Sequence, residues 1–163
     1  SELRHPTAPT SLGRSYAEGK LIMPDFAKAL AWYEEGLSRA DPWGGTNAAT
    51  LILLGKIPGM DSADAAVRAA KAAALKTESA RRAALGQLGE LSKKDLARGL
   101  QRLLAEMGQP VTADGVAGQQ TAEAIIDVYG ALVSLETKND IQNALLRVAE
   151  TYWNTSNVRV DLN

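Results

Sequence analysis

The stretch that decides the fold runs from Leu96 to Ile125 and reads LARGLQRLLAEMGQPVTADGVAGQQTAEAI. Its first half repeats apolar residues at i, i+4, i+7, i+8 and i+11, which predicts an amphipathic helix that ends at Gly108. A short loop around Asp114 and Gly115 follows, where glycine permits a positive φ and aspartate accepts hydrogen bonds from a tight turn. A second helix then continues to Ile125. The stretch therefore predicts a helix–loop–helix unit.

The composition of the whole chain indicates an all-α protein with a real hydrophobic core. The chain has 163 residues, of which 45% are hydrophobic and only 5% aromatic, and alanine is abundant. Small side chains let helices approach each other closely, and no stretch predicts a β-sheet. There is no cysteine, which excludes disulfides and thiol nucleophiles. No apolar run reaches the length of a membrane span, so we expect no membrane insertion, and no signal peptide is visible.

Charge is balanced overall but unevenly distributed along the chain. The net charge of −1 argues against a nucleic-acid partner, which normally selects a basic surface. From Arg68 to Arg102, however, the sequence contains nine basic residues and three acidic ones. Such a stretch is typical of solvated helix faces, and it could also face an anionic polymer or the carboxylates of peptide stems.

The sequence carries no recognisable catalytic motif, cofactor motif or metal motif. His5 is the only histidine and lies in a predicted linker, so a Ser/His/Asp or Cys/His arrangement is implausible. Phosphate-loop, dinucleotide and HExxH patterns are absent. Asp61 and Asp64 are close in sequence but are typical of charges at a helix start rather than of metal ligands. We therefore predict a protein that is not an enzyme and that needs no cofactor.

Helix signals divide the first part of the chain. Residues 1–10 contain two prolines and no periodicity, which predicts a linker, and Ser11 is a candidate cap for a first helix ending near Gly19. Asp25 is the predicted cap of the second helix. The segment 41–45, DPWGG, is predicted to be a loop, with the next helix starting at Thr46 or Asn47 and ending near Gly55.

The second part of the chain is predicted to begin with an alanine-rich helix starting at Asp61 or Ser62. A short helical segment of one or two turns is predicted at 77–88, broken by Gly86 and Gly89. Ser92 is predicted to cap the helix of the deciding stretch, with Asp95 three residues later. The helix after the loop is predicted over 120–136 with Leu132 inward, and Asn139 or Asp140 is expected to cap the last helix. Residues 154–163 are predicted to be a polar, extended tail.

The deciding stretch resembles the small three-helix peptidoglycan-binding domain of bacterial wall hydrolases and envelope proteins. The resemblance covers about 30 residues: Leu100-Gln101, Leu104 and Gly108 on the first helix, Asp114-Gly115 and Gly118 in the loop, and Thr121, Ala124 and Ile125 on the second. It implies a binding module. Ala117 stands where the family commonly has a large or aromatic residue, which removes a surface that could stack on a sugar ring. Glycan binding could therefore be weak here or replaced by protein binding.

A ligand groove, if present, is expected beside this loop and the two helices that it joins. Basic and amide side chains on the first helix would supply donors for carboxylate or acetamido groups, with two glutamines opposite. The candidate contacts are Arg98, Gln101, Arg102, Asp114, Gly115, Gly118, Gln119, Gln120 and Thr121. Each has an alternative interpretation as a turn-shaping or exposed helix residue.

The region before this unit resembles a Sel1-like repeat, a helical hairpin related to tetratricopeptide repeats. The matching residues are Leu12-Gly13, Tyr16, Gly19, Asp25, Ala29, Trp32-Tyr33 and Glu34, and Leu54-Gly55 follows 42 positions after Leu12-Gly13. In such repeats the Trp-Tyr pair packs between paired helices. Trp43 is the aromatic residue expected to be exposed, and it is our candidate protein contact.

Together these resemblances predict Sel1-like helical hairpins at 11–90 packed on a peptidoglycan-binding-like unit at 91–153. The same order of modules occurs in the periplasmic parts of alphaproteobacterial polarity scaffolds, which the chain resembles in architecture alone. The expected function is recognition of peptidoglycan or another envelope glycan, or scaffolding of envelope proteins, in the bacterial periplasm. Two alternatives remain: a module that binds only proteins, and the targeting part of an enzyme encoded upstream. The start at Ser1 is expected to reflect a piece of a larger anchored or secreted protein.

Overall fold

The computed structural model describes residues 5–20 and 23–156, and these residues form eight α-helices and no β-strand. The all-α prediction is confirmed. The helices are α1 (Ala8–Glu18), α2 (Phe26–Ser38), α3 (Pro42–Leu53), α4 (Ser62–Ala74), α5 (Glu78–Gly89), α6 (Lys93–Glu106), α7 (Gln119–Tyr129) and α8 (Lys138–Thr155).

The alanine-rich helix α4 is the centre of the fold. Helices α3, α5, α6 and α8 all pack against it. Its residues Ala63, Ala66, Ala70 and Ala73 are fully buried, and Ala74 is 5% exposed, because small side chains allow neighbouring helices to approach closely. At the crossing with α6, a β-carbon added to Gly99 would lie 2.7 Å from the β-carbon of Ala66. The prediction of close helix contact through small residues is therefore confirmed.

The core runs without interruption through both predicted regions. Leu37 in α2 and Trp153 in α8 belong to the same buried cluster. The leucine stripe of α6 is fully buried in it, and the indole nitrogen of Trp153 donates a hydrogen bond of 2.8 Å to the carbonyl of Lys71. A smaller cluster around Tyr33 joins α2 to α3, with Tyr16 of α1 packed against it. The two regions therefore share one core.

The first helix begins earlier than predicted. It starts at Ala8 rather than after Ser11, with a proline in its first turn, where a missing N–H costs no hydrogen bond. Pro9 and Thr10 are buried. The linker prediction for residues 1–10 is therefore wrong for residues 8–10, and residues 1–4 lie outside the described part of the chain.

The predicted loop at 41–45 is also wrong, because these residues open helix α3. Asp41 caps the helix by accepting a hydrogen bond of 3.1 Å from the Trp43 amide, and Pro42 occupies the first helical position. Gly44 and Gly45 are buried within the helix. They serve close packing against α2 and α4 rather than a turn.

Three further boundaries differ from the predictions. Helix α5 continues through Gly86 to Gly89, and α7 ends at Tyr129 because Gly130 adopts a left-handed conformation. Leu132 therefore lies in a loop and is 75% exposed instead of inward. Thr137 caps α8 in a capping box with Asp140. Helix α8 continues through residues 154 and 155 of the predicted tail; residues 157–163 lie outside the described ranges.

The caps predicted at Asp25 and Ser92 are confirmed, and of the two candidates Asp61 and Ser62 for the start of α4, Asp61 is the cap. Each side chain accepts a hydrogen bond from a backbone N–H two or three residues later. Across the described ranges, no helix combines the length and the apolar character needed to cross a membrane.

Candidate functional site

The loop of the deciding stretch begins at a helix end with defined geometry. The amide of Gly108 donates to the carbonyl of Ala105, and the amide of Gln109 donates to the carbonyl of Leu104, both at 3.0 Å. With Gly108 at a φ of 90°, this is the Schellman arrangement that satisfies the last carbonyls of a helix. The chain therefore leaves α6 in a specified direction toward the loop.

A single amide side chain, that of Gln101, holds the loop together. The two N–H groups of its amide nitrogen are shared among three acceptors: Asp114 Oδ1 at 2.9 Å, the Val116 carbonyl at 3.0 Å and Thr121 Oγ1 at 3.1 Å. Its oxygen accepts from the Gly115 amide at 2.9 Å. Gln101 is 1% exposed and its hydrogen-bonding groups are already used. Its predicted role as a ligand donor is corrected to that of a loop anchor.

The loop lies directly on the first turn of α6. Gly115 has a φ of 81°, and a β-carbon there would lie 2.6 Å from Cγ of Lys94 and 3.1 Å from Cγ of Arg98. Glycine is therefore required at this position both by its conformation and by the close approach of the two side-chain stems. Gly118, in contrast, has open space around it and provides the capping position of α7 without a side-chain hydrogen bond.

An open groove of about 520 Å³ lies between this loop, the start of α6 and the start of α8. We call it the loop groove. Its lining residues are Lys93, Lys94, Asp114, Gly115, Val116, Ala117, Leu135 and Ile141. The groove is beside the loop as predicted, but its second wall is formed by α8 and the segment before it, not by α7.

The loop groove combines a free cation, a carboxylate and apolar walls. Lys93 donates to the Glu136 carbonyl at 2.6 Å, whereas Lys94 has no hydrogen bond or ion pair with any described residue. Hydrogen bonds from the Val116 amide and from Gln101 hold the pKa of the Asp114 carboxyl below its ordinary value, so that Asp114 is ionised at neutral pH. Val116 is 67% exposed beside these charges. The groove can therefore contact a carboxylate, an amine and small apolar groups together.

Arg98 and Arg102 point toward α4 and not into the loop groove. Arg102 donates to both carboxylate oxygens of Asp61, at 2.6 and 3.2 Å, and lies 3.0 Å from Asp64. Arg98 donates to Asp61 Oδ2 at 2.6 Å. The prediction that these two guanidinium groups serve a ligand is replaced by a structural role, because they join α6 to the start of α4.

Replacing Asp61 is expected to weaken the junction of α4 and α6. The hydrogen bond from Arg102, followed by that from Arg98, holds the pKa of the Asp61 carboxyl well below its ordinary value. We expect Asp61→Ala to lower the free energy of unfolding by about 2 kcal/mol, about half from the lost cap and half from partly exposed ion pairs. Asp61→Asn keeps the cap and should cost about 1 kcal/mol.

The pH dependence of this effect has a defined sign. Because folding lowers the pKa of Asp61, the carboxylate contributes its full stability above the unfolded-state pKa of about 4, and the contribution is lost as pH falls through the lower folded-state value. The difference between wild type and Asp61→Asn in urea unfolding should therefore be largest at pH 7 and shrink below about pH 4. A difference that grows on acidification would contradict this assignment.

The two predicted glutamines lie at the exposed start of α7. Gln120 accepts a hydrogen bond of 3.1 Å from the Thr112 amide, and Gln119 donates to Glu123 at 2.8 Å. Thr121 is fully buried and accepts from Gln101. None of these three residues lines the loop groove, although Gln120 and Thr121 help to hold the loop that forms it.

Of the residues that line the loop groove, sequence reasoning selected only Asp114 and Gly115, and it missed Lys93, Lys94, Val116, Ala117, Leu135 and Ile141. Lys94 belongs to the predicted basic stretch, and its position in the first turn of α6, beside the loop glycine, is the signal that could have selected it. Leu135 comes from a segment predicted as helix, so its place near the loop could not be inferred from periodicity.

The prediction that the Trp-Tyr pair packs between helices is confirmed for Tyr33 and not for Trp32, which belongs to neither buried cluster. Tyr33 is buried and Trp32 half-buried, whereas Trp43 is 38% exposed at the start of α3. Leu53 and Leu54, at the other end of α3, are also exposed. A protein contact at Trp43 remains a prediction. In the ranges that the structure describes, no group of three or more acidic or imidazole side chains is arranged to hold a metal ion.

Comparison with protein-family models, curated proteins and solved structures gives no significant match. The resemblances to a Sel1-like repeat and to a peptidoglycan-binding unit therefore rest on the residues quoted above.

Proposed function

We propose that the chain is a non-catalytic binding module of the bacterial cell envelope that recognises peptidoglycan at the loop groove. The observation that carries the proposal is the free ammonium of Lys94 in the first turn of α6, next to the apolar residues of the loop that resembles the wall-binding family. The periplasmic location, and membership of a larger anchored or secreted protein, are parts of the same proposal.

The chemistry of the groove favours the peptide stems of peptidoglycan over its sugars. Peptide stems present carboxylates and small methyl side chains, which suit Lys94 and the Val116–Ala117 wall. None of the described residues that line the groove is aromatic, so it offers no ring on which a sugar could stack. Asp114, ionised at neutral pH, is placed to accept from an amine of the ligand.

Reversing the charge of Lys94 is expected to weaken wall binding. In co-sedimentation with purified insoluble peptidoglycan, Lys94→Glu should raise the apparent dissociation constant about tenfold, because an attraction is replaced by a repulsion. Arg14→Glu is the matched control, since Arg14 is exposed on α1 and the substitution changes the net charge equally.

The outcomes distinguish the site from the function. Binding that Lys94→Glu and Arg14→Glu leave equally strong would keep peptidoglycan recognition but move it away from the loop groove. Absence of pelleting by folded wild-type protein, verified by circular dichroism, would reject peptidoglycan binding altogether.

A second candidate function is protein–protein interaction without a wall ligand. The exposed side chains of Trp43 at the start of α3 and Leu54 just after its end favour it, because large apolar side chains at the surface are common contact residues. Chemical crosslinking to envelope proteins that is lost in Trp43→Ala, together with no pelleting on peptidoglycan, would favour this candidate over the first.

A further inference from the structure

A second groove lies at the opposite end of α6 from the loop groove. It has a volume of about 420 Å³ and is formed where the ends of α6, α7 and α8 meet. We call it the acidic groove. Its lining residues are Glu106, Met107, Gln109, Asp127, Val128, Thr151, Tyr152, Thr155 and Ser156. About 12 residues of helix separate it from Lys94, which corresponds to about 18 Å.

The acidic groove has a negative charge that the protein does not fully neutralise. Asp127 is exposed and forms no hydrogen bond or ion pair with any other described residue. Glu106 accepts from the ammonium of Lys71 through one oxygen, at 2.7 Å, and its other oxygen accepts no hydrogen bond from the described residues. The described lining contains neither lysine nor arginine. A ligand with positive charge is therefore favoured over a neutral or anionic one.

The apolar part of the same groove suits the stem of a long cationic side chain. Met107, Val128 and Tyr152 are half-buried and pack against the core. The ammonium of Lys71 already lies 4.1 Å from the centre of the Tyr152 ring and pairs with Glu106. Lys71 therefore occupies the Tyr152 ring face and one oxygen of Glu106, and the groups left for a ligand cation are the other Glu106 oxygen and the carboxylate of Asp127.

We propose that the acidic groove binds a lysine- or arginine-bearing segment of a partner protein. The methylene groups of such a side chain would cover the apolar floor while its charged end reaches Asp127 and the free oxygen of Glu106. The volume exceeds the space that a bare metal ion needs, and no three-carboxylate cluster exists in the described ranges. With Lys94 at one end of α6 and Asp127 at the other, the module presents sites of opposite charge preference.

The test uses a fluorescent acetyl-Gly-Arg-Leu-Arg-Gly-amide peptide with the full chain at low salt. A peptide with citrulline at both arginine positions keeps the shape and removes the charge. We expect the arginine peptide to bind at least about fivefold more tightly than the citrulline peptide, and Asp127→Asn to remove that preference. Glu123→Gln, one turn earlier on α7 and outside the groove, is the control and should leave binding unchanged.

The location is checked independently by amide chemical shifts. Titration with the arginine peptide should shift the amide resonances of Met107, Val128 and Thr151. The Lys94→Glu substitution should leave these shifts unchanged, so that failure of the loop-groove proposal and failure of the acidic-groove proposal are distinguishable. Equal binding of the two peptides, or binding unaffected by Asp127→Asn, would overturn the proposal.

Discussion

Replacing Gln101 by leucine is expected to lower the free energy of unfolding by about 3 kcal/mol and to release the loop that forms one wall of the loop groove. Leucine has a similar volume, so the loss would come from hydrogen bonding rather than from a cavity. The buried hydroxyl of Thr121 and the amide of Gly115 would lose the partner that each has in Gln101. Such unsatisfied groups cost about 1–3 kcal/mol each, less where water can replace the partner.

Urea unfolding and amide hydrogen exchange measure this effect separately. We expect exchange at Gly115 and Val116 to accelerate in Gln101→Leu even under conditions where the helices remain folded. Gln119→Leu is the matched control, because Gln119 is exposed and donates only to Glu123; it should change stability by less than about 0.5 kcal/mol. Equal stability of the two variants would show that the loop does not depend on Gln101.

Gln101 is expected to support binding to peptidoglycan although its side chain does not contact the ligand. Because Gln101 positions Asp114 and Gly115, its loss should weaken pelleting on peptidoglycan while Lys94 is still present. Pelleting by a folded Gln101→Leu variant at wild-type strength would show that binding does not need the ordered loop.

Replacing Gly44 by alanine is expected to destabilise the protein by about 3 kcal/mol, although alanine is the better helix former. A β-carbon at Gly44 would lie 2.5 Å from the carbonyl oxygen of Tyr33 and 2.6 Å from the amide nitrogen of Leu37. Both neighbours are backbone atoms of α2, which cannot move aside as a side-chain end can. Helices α2 and α3 would therefore have to separate, and the packing around Tyr33 would be lost.

Gly86→Ala is the matched control for this prediction. Gly86 is also inside a helix, but no atom outside its own helical surroundings lies within 4 Å of an added β-carbon. Alanine there should stabilise the protein by about 0.5–1 kcal/mol through helix propensity alone. Thermal unfolding of the two variants should therefore shift in opposite directions. A stabilising Gly44→Ala would contradict the close approach of α2 and α3.

Features that depend on neighbouring residues could be predicted from the sequence. The caps at Asp25, Asp61 and Ser92 and the leucine stripe of α6 follow from interactions within one or two helical turns. The all-α class follows from the same signals added along the chain. The loop predicted at 41–45 was wrong because glycine usually indicates a turn. Gly44 and Gly45 instead allow neighbouring helices to approach closely, and the local sequence does not show which helix lies beside them.

The candidate site depended on contacts between distant residues. Arg98 and Arg102 could be identified as basic helix residues. Their partner Asp61, however, lies 37 and 41 residues earlier in the sequence, so the pairing could not be inferred from neighbouring residues. Gln101 was predicted to face a ligand and instead anchors the loop. Of the two lysines that line the groove, Lys93 donates to the Glu136 carbonyl, whereas Lys94 has no hydrogen bond or ion pair with a described residue. Helix caps and apolar periodicity depend on residues that are close in the sequence, so they can be predicted from it. Which polar groups are paired and which remain free depends on how whole helices pack together.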